Sequence, residues 1–525
     1  MARPRQLAEA LAHVGRPLYL IHNGEALAWS DAGCISFGTD RGGEGFPLRA
    51  AAHPCAPENL GSAGFRRDHG LRFAYVAGAM AGGIGSPELV EVMGRAGMLG
   101  FYGAAGLAPD VVEEAIYRIS TRLGDTPWGA NLIHSPYEPR LEEEVADLYA
   151  RRGVHLVSAS AYLDLTLPLV RYRVRGIHVD AAGQVRTPNR VMAKVSRIEV
   201  ARKFFSPPPP DLLAELVRAG DISSEQARLA ETIPVAQDLT VEADSGGHTD
   251  NRPALAVLPT MLALRDRMQS ERSYDAALRV GVAGGVATPH AVAASFAMGA
   301  DYVLTGSINQ ACLEAGTSDT VRRMLAEAEQ ADVAMAPAAD MFEMGVKLQV
   351  LKRGTLFAMR AQKLHDLYLR WGSLEEIPAA ERASLERTVF RATFEEIWAE
   401  TRAFWGTRDP EQAERAQRDA KHRMALVFRW YLGMSSRWAN CGEVGRELDY
   451  QIWCGPSMGA FNEWTRGSFL ERPEARRAVI VARNLLHGAA ILSRANALRE
   501  QGAELAADCV DVRPRVLDEI EELCA

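Results

Sequence analysis

The sequence has few of the features that mark membrane, secreted or metal-binding proteins. No stretch reaches the roughly 18 uninterrupted apolar residues that a membrane helix needs, and the start, MARPRQLAEALAHVGRP, lacks the apolar centre of a secretory signal. Cysteine is scarce, with 7 in 525 residues, and none forms a CxxC or zinc spacing. These absences predict a cytoplasmic protein with reduced thiols, no membrane partner and no metal site.

The chain also lacks a basic surplus. Its formal net charge is -8, whereas a nucleic-acid-binding protein normally shows a basic patch or stripe. Nucleic acid is therefore excluded as the main partner. The hydrophobic content of 47% is enough to bury a large core, and the length suits one large α/β domain with at least one appendage.

Short apolar runs alternate with amphipathic segments between Phe73 and about Gln310, as in strand–helix units on a parallel sheet. Helices are predicted at Pro87–Ala96, Asp110–Leu123 and Pro289–Met298. Eight such units favour a closed (β/α)8 barrel, a TIM barrel, over an open sheet. The eight predicted strands lie within FAYVAGAM, LGFYGAAG, PWGANLIH, GVHLVSAS, RVMAKVSR, PVAQDLTVEAD, LRVGVAGGV and DYVLTGS.

Three segments are predicted. Residues 1–70 form a loop-rich N-terminal cap with two short strands around Asn23-Gly24. Residues 71–310 form the barrel, with an insertion at about 170–235 that contains the prolines at 207–210. Residues 311–525 form a mainly helical second domain, in which 409–434 is the clearest amphipathic run.

Reactive residues of such a barrel come from the carboxyl ends of its strands. Strand one ends in AGAMAGGIG, whose small residues either let a flat ligand approach the backbone or form a tight turn. Asn131 and Lys194 close the third and fifth apolar runs, where they either face solvent or face a ligand. His248 follows Gly246 and Gly247 after the sixth strand, and a lone loop histidine is more often solvated or structural than catalytic.

The ends of the seventh and eighth strands carry a stronger joint signal. Gly284-Gly285 precede a helix that starts near Thr288, and Gly306-Ser307 follow the eighth strand. Barrel enzymes hold a phosphate at these two ends with bare backbone N–H groups and a helix amino end. The sequence therefore predicts a phosphorylated cofactor. The first strand's GAMAGGIG is no Rossmann fingerprint, since it lacks the spacing and the downstream acid.

These motifs resemble one family. AGAMAGGIGSPELVEVMGRAGMLGFYGAAGL, GANLIHSP, VMAKVSR, EADSGGHTDNRP, VAGGVATPHAVAASFAMGADYVLTGSINQA and YQIWCGPSMGAFNEW are similar to segments of the trans-acting enoyl reductases of polyunsaturated fatty acid and trans-acyltransferase polyketide synthases. This PfaD family lies within the nitronate monooxygenase (2-nitropropane dioxygenase) superfamily. The resemblance implies an FMN-binding TIM barrel that uses NADPH, or NADH, to reduce the α,β-double bond of an enoyl chain. That enoyl chain is carried on the phosphopantetheine arm of an acyl carrier protein in a megasynthase. A homodimer of the protein is also compatible with the resemblance.

The resemblance also implies roles for individual residues. Ala79 and Met80 would back the flavin ring, and Asn131 would hydrogen-bond its ribityl or pyrimidine side. Lys194 would sit near flavin N1 and C2=O as a counter-charge. His248 would polarise the thioester carbonyl or donate a proton near Cα, with Asp244 or Asp250 either orienting its ring or satisfying loop backbone. Two groups complete the site: Gly246 and Gly247, which clear space beside the flavin for the acyl chain, and Gly284, Gly285, Gly306 and Ser307, which hold the phosphate.

Other interpretations stay open at this point. A nitronate monooxygenase would use the same flavin site with a histidine base and oxygen, although it would not need a long C-terminal segment. A non-catalytic scaffold protein of a megasynthase would not need His248, Lys194 and the phosphate glycines together. Cys454 is predicted to be a core residue rather than a nucleophile.

VRYRVRG, residues 170–176, alternates as a strand would, which would place Arg171, Arg173 and Arg175 on one basic face. Such a face could steer an acidic carrier protein. The alternative is a solvated hairpin whose arginines pair with local acids such as Asp180.

Overall fold

The computed structural model describes residues 4–24, 26–36, 45–136 and 138–525. In the N-terminal segment, β1 and β2 pair as the two predicted strands, and Gly24 between them has a φ of 67°, a left-handed conformation that favours glycine. Those parts of the predicted cap that fall at 1–3, 25 and 37–44 lie outside the described residues. The elements of this segment are α1 Pro4–Ala12, β1 Leu18–Asn23, β2 Ala26–Ser30, β3 Leu48–Ala52, a 3-10 turn Pro57–Asn59 and α2 Ala63–His69.

The next segment alternates strands and helices, as the sequence predicts. Its elements are β4 Tyr75–Ala77, α3 Pro87–Arg95, β5 Leu99–Tyr102, α4 Pro109–Leu123, β6 Gly129–Ile133, α5 Pro139–Arg152, β7 Leu156–Ser160, α6 Leu167–Val174, β8 His178–Val179, β9 Val185–Arg186, β10 Arg190–Val195, α7 Ile198–Phe204, α8 Pro210–Ala219, α9 Ser224–Ala230, β11 Asp238–Glu242, β12 Gly247–His248, α10 Ala254–Arg272, β13 Arg279–Ala283, α11 Pro289–Ala297, β14 Val303–Thr305 and α12 Ser307–Gln310.

Eight of these strands close into a parallel barrel in the order β4-β5-β6-β7-β10-β11-β13-β14. The predicted TIM barrel is confirmed, and these strands are barrel strands one to eight in that order. Local sequence explains where several helices begin: the hydroxyl groups of Ser86 and Thr288 accept hydrogen bonds from the backbone N–H groups of Leu89 and Ala291. A proline follows each of these caps, where the missing N–H costs nothing.

The prediction of a basic strand at 170–176 is wrong, because most of this stretch is helix α6. Thr166 caps the helix and Pro168 lies in its first turn, so helix-start signals override the alternation. Arg173 is buried and donates to the backbone carbonyl oxygens of Pro234 and Asn189. Arg171 forms ion pairs with several acids, among them Asp147 at 2.9 Å. No basic face exists here to steer a carrier protein.

The predicted insertion spans barrel strand five, β10, as well as the helices on either side of it. Its apolar side chains form a small cluster of their own, in which Val170 and Val174 of α6 pack with Leu213 and Leu216 of α8. The prolines at 207–210 lead into α8.

The segment beyond residue 311 is mainly helical. The amphipathic run at 409–434 is broken at Asp419, which caps the second of two helices. The elements are α13 Asp319–Ala326, β15 Val333–Pro337, β16 Lys347–Leu351, α14 Phe357–Arg370, α15 Ala379–Leu385, a π-helical turn Glu386–Phe390, α16 Phe394–Arg408, α17 Pro410–Arg418, α18 Ala420–Cys441, a 3-10 turn Glu447–Asp449, α19 Ser457–Thr465, 3-10 turns Phe469–Glu471 and Pro473–Ala475, α20 Ala478–Glu500, a 3-10 turn Ala507–Cys509 and α21 Leu517–Cys524.

Two strands of this segment reach back to the barrel. β16 pairs with β15 on one side and with β12 on the other, so that Leu348 lies opposite His248. The division at residue 310 therefore stays a proposal, because one small sheet crosses it. Within the described part of the chain, no helix is long and apolar enough to cross a bilayer. In the same residues, no cluster of three or more His, Cys, Asp or Glu side chains could hold a metal ion.

Candidate active site

A cavity of about 1110 Å³ opens at the carboxyl ends of the barrel strands. The barrel loops form one part of its wall and the C-terminal helices form another. This volume is that of a site for a cofactor together with a substrate. The cavity brings together every site residue predicted from the sequence: Ala79, Met80, Asn131, Lys194, Gly246, Gly247, His248, Gly284, Gly285, Gly306 and Ser307.

The turns after strands seven and eight leave room for a ligand against bare backbone. Gly284 and Gly285 have φ values of 84° and 78°, which favour glycine. A Cβ on Gly284 would lie 2.6 Å from the carbonyl carbon of Ala243, so no side chain fits there. A Cβ on Gly285 or Gly306 would have no neighbour within 4 Å, and both face the cavity. This arrangement fits the phosphate group that the sequence predicts.

The loop after strand one is held by backbone contacts with the loop after strand two. The Gly85 N–H donates to the carbonyl oxygen of Met80 at 2.9 Å, and the Gly83 N–H donates to the Gly103 carbonyl, also at 2.9 Å. A Cβ on Gly103 would lie 1.7 Å from the Met80 oxygen. The backbone at Ala79 and Met80 is therefore fixed, and it provides the firm surface that a flat ring needs.

Asn131 has one polar atom left for a ligand. It is buried, and its Nδ2 donates to the Ser158 carbonyl oxygen at 3.0 Å and to Ser160 Oγ at 2.7 Å. Both amide hydrogens are thus used within the barrel. Its Oδ1 remains as an acceptor for a donor group in the cavity.

Lys194 has an acidic partner that the sequence analysis missed. Its Nζ lies 2.8 Å from Glu242 Oε1, which also accepts a hydrogen bond from Ser245 Oγ at 3.1 Å. Neighbouring strands β10 and β11 place Lys194 beside Thr240, two residues before Glu242. The sequence could have indicated this partner, because Glu242 is a charged residue at the end of an apolar strand. The pair holds the ammonium group in place at the cavity wall.

The carboxylate beside His248 is Asp340, from the loop between β15 and β16. His248 Nε2 lies 3.1 Å from Asp340 Oδ1. The two acids considered from the sequence are both engaged elsewhere: Asp244 accepts from Gln349 Nε2 at 2.8 Å, and Asp250 pairs with Arg197 at 3.0 Å. The prediction that Asp244 or Asp250 orients the imidazole is therefore wrong.

Asp340 changes the acid–base character of His248. Burial lowers the pKa of His248, but the Asp340 and Glu242 carboxylates together outweigh it, so that the net shift of the pKa is upward. Glu242 adds to the rise and Lys194 opposes it. The pKa of Asp340 is correspondingly lowered: burial alone would raise it, and the imidazolium more than compensates. The pair favours a protonated histidine facing the cavity.

Cys454 is a core residue, as predicted. It is buried, and burial raises the pKa of its thiol to about 12, which leaves no thiolate at neutral pH. Its backbone packs against Gly246, where a Cβ would lie 2.8 Å from the Cys454 nitrogen. The next N–H, that of Gly455, donates to Ser307 Oγ at 3.2 Å. The loop at 453–455 thus supports both the loop that contains Gly246 and His248, which we call the histidine loop, and the turn after strand eight.

Comparison with known proteins identifies two family matches. The model described as nitronate monooxygenase matches residues 70–364. The model described as the inserted helical domain of acyl-carrier-protein S-malonyltransferase matches residues 371–450. The second match covers α15 to α18, of which α16 and α18 contribute residues to the cavity wall.

Three individual proteins are similar over most of the chain. One component of the polyunsaturated fatty acid synthase of Thraustochytrium sp. is 47% identical over 454 residues, which cover 85% of this chain and 30% of that protein. The polyketide biosynthesis protein PksE of Bacillus subtilis is 45% identical over 436 residues, covering 83% of this chain and 56% of that protein. The chain thus spans between about a third and about half of these relatives.

The third is a solved structure, the enoyl reductase domain of MlnA from the macrolactin biosynthesis cluster of Bacillus amyloliquefaciens. It is 39% identical, with a TM-score of 0.79, and the match covers 84% of this chain and 98% of that domain. A barrel and C-terminal helices like those of this chain therefore occur together in a solved domain of similar fold.

Proposed function

Since the chain belongs to the nitronate monooxygenase family, in the branch that contains the enoyl reductases of polyunsaturated fatty acid and polyketide synthases, we propose that it reduces the α,β-double bond of an enoyl thioester. FMN would be the bound cofactor, NADPH the reductant, and an acyl carrier protein of a megasynthase the carrier of the substrate. The observation that carries the proposal is the single cavity that holds the glycine turns, the Lys194–Glu242 pair and the His248–Asp340 pair. Cytoplasmic location and a homodimer stay predictions.

The types of residue that line the cavity, and their positions at the ends of the barrel strands, are compatible with FMN as a ligand. The N–H groups at Gly284, Gly285 and Gly306 would hold the phosphate, while Ala79 and Met80 would support the ring and the side-chain oxygen Oδ1 of Asn131 would accept from it. When bound at these residues, FMN would supply the hydride transfer from NADPH to the substrate. Lys194 would keep a positive charge beside the ring.

His248 would supply the proton. Reduction adds a hydride to Cβ and a proton to Cα of the thioester, and NADPH provides the hydride only. An imidazolium beside the substrate can donate that proton and hydrogen-bond the thioester carbonyl in advance. Asp340 would stabilise the charged ring through the contact between His248 Nε2 and Asp340 Oδ1.

A nitronate monooxygenase activity is the alternative. Its histidine would act as a base toward the nitroalkane. The 39% identity with the enoyl reductase domain of MlnA, over 84% of this chain, favours the reductase over the oxidase.

The proposal is tested on the purified full chain by absorption spectroscopy. We expect a yellow protein with one non-covalent FMN, bleached anaerobically by NADPH and recoloured by a crotonyl thioester of pantetheine. The saturated butyryl thioester is the control and should restore no colour. A protein whose flavin is reduced by a nitroalkane in place of NADPH, and is reoxidised by oxygen but not by the enoyl thioester, would instead be a monooxygenase.

A second prediction concerns the pH dependence that Asp340 gives to His248. Asp340→Asn removes the carboxylate and leaves the effect of burial, so the pKa of His248 should fall below its value in the unmodified protein. If the protonated ring is the active form, the alkaline decline in the rate of enoyl reduction should move to lower pH. Single-turnover rates measured from about pH 5 to about pH 10 would show the shift.

Asp250→Asn is the matched control, because Asp250 pairs with Arg197 and not with His248. Its profile should coincide with that of the unmodified protein. A shift of equal size in both variants would remove Asp340 from its assigned role.

A further inference from the structure

Three large apolar side chains are half exposed where the cavity opens. Val111 is 45% exposed, Leu163 is 54% exposed and Phe404 is 53% exposed. All three line the cavity that contains His248. We call these residues the apolar rim. Large apolar side chains grouped at the entrance of a site usually contact a ligand or partner.

The apolar rim occupies one side of the barrel. Val111 lies in the first turn of α4, after strand two, and Leu163 follows strand four. Phe404 of α16 lies on the same side of the barrel. Its position is linked to the barrel through Arg408, one helical turn further along the helix. The Arg408 guanidinium lies 5.6 Å from the Phe404 ring and donates to Glu138 in the loop after strand three. Three neighbouring barrel loops and one C-terminal helix thus meet here.

This side lies opposite the turns that fit a phosphate. In a closed barrel of eight strands, strand three faces strand seven across the axis, and Gly284 follows strand seven. The apolar rim therefore contacts the part of a ligand that points away from the phosphate turns.

Charge at the apolar rim is balanced. Arg408 pairs with Glu138, and Arg140 pairs with Glu411 at 3.1 Å, so that both cations have acidic partners. An anionic group gains little from such a surface, because it would have to displace a carboxylate. An apolar chain requires no such exchange and gains by covering the three side chains.

We propose that the apolar rim binds the acyl chain of the enoyl thioester and makes the protein select for long apolar chains. The inference rests on the proposed function and adds the substrate class. Carbons beyond the reacting double bond would run from the His248 side across the cavity to Val111, Leu163 and Phe404. Each methylene that is buried should lower the dissociation constant by about twofold to fourfold.

The test measures binding and turnover separately on the FMN-containing full chain. Calorimetry with saturated acyl-pantetheine thioesters of four, eight and twelve carbons gives affinity without reaction. The kcat/KM values of the matching enoyl thioesters give selectivity. The variants are Phe404→Ala and Leu163→Ser, and the control is Leu369→Ala, which changes a leucine of α14 that is 67% exposed and lies away from the cavity.

We expect the affinity of the unmodified protein and of Leu369→Ala to rise with chain length. Phe404→Ala and Leu163→Ser should weaken binding of the twelve-carbon thioester on the order of tenfold and leave the four-carbon thioester nearly unchanged. Equal affinity for all lengths in the unmodified protein would overturn the inference. So would variants that weaken the binding of all three chain lengths equally, since the apolar rim would then contact the pantetheine part of the ligand. Failure of every enoyl thioester to react would instead refute the proposed function.

Discussion

His248→Ala should slow enoyl thioester reduction by about 10²–10⁴-fold, the usual contribution of a positioned general acid. Reduction of the protein by NADPH should be nearly unchanged, because that half-reaction needs no proton from His248. The variant removes the imidazole that the structure places in the cavity beside Asp340. Stopped-flow absorbance of the flavin, followed during bleaching and during recolouring, measures the two half-reactions separately.

Lys194→Met provides the comparison, since it should show the opposite pattern. Loss of the ammonium group leaves Glu242 without its ion pair and would remove the positive charge proposed beside the flavin ring, so that reduction by NADPH should slow. If both variants slow both half-reactions equally, the two residues are general structural residues and the division of roles fails.

Gly306→Asp should yield a protein that purifies without flavin. A Cβ at this position meets no neighbour within 4 Å, so the side chain fits the fold and its carboxylate enters the space assigned to the phosphate. Repulsion between like charges at that distance should weaken FMN binding by at least on the order of 100-fold. Fluorescence titration of the flavin-free protein with FMN measures the loss.

Gly306→Asn is the matched control, because it has the same shape without the charge. It should retain most of the affinity, and circular dichroism should show both variants folded. Unchanged FMN affinity in Gly306→Asp would move the phosphate away from the turn after strand eight.

The sequence predicts those parts of the site that depend on local chemistry. Gly284 and Gly285 are required by the backbone itself, through positive φ values and a close approach to Ala243. Asn131 and Lys194 stand out as polar residues at the ends of apolar runs. Such positions can be recognised without knowing what lies next to them, and the order of eight strands then gathers them at one end of a barrel.

The partners of these residues could not be predicted in the same way. Asp340 reaches His248 because β16 pairs with β12, and nothing in the local sequence gives the register of two short strands so far apart in the chain. At 170–176, by contrast, a local pattern is present but leads to a wrong prediction. Its alternation predicts a strand, but Thr166 and Pro168 start a helix, and Arg173 is satisfied by carbonyl groups that only the folded chain brings close.

The contact between the loop at 453–455 and the histidine loop also bears on how the protein folds during synthesis. The backbones at Gly246 and Cys454 touch, and the Gly455 N–H reaches Ser307. Contacts between segments so distant in sequence form late, because a long loop must close before they stabilise anything. All eight barrel strands can emerge from the ribosome before this support exists. We therefore expect the nascent barrel to form first and to gain its capacity to retain flavin only after residue 455 has been added.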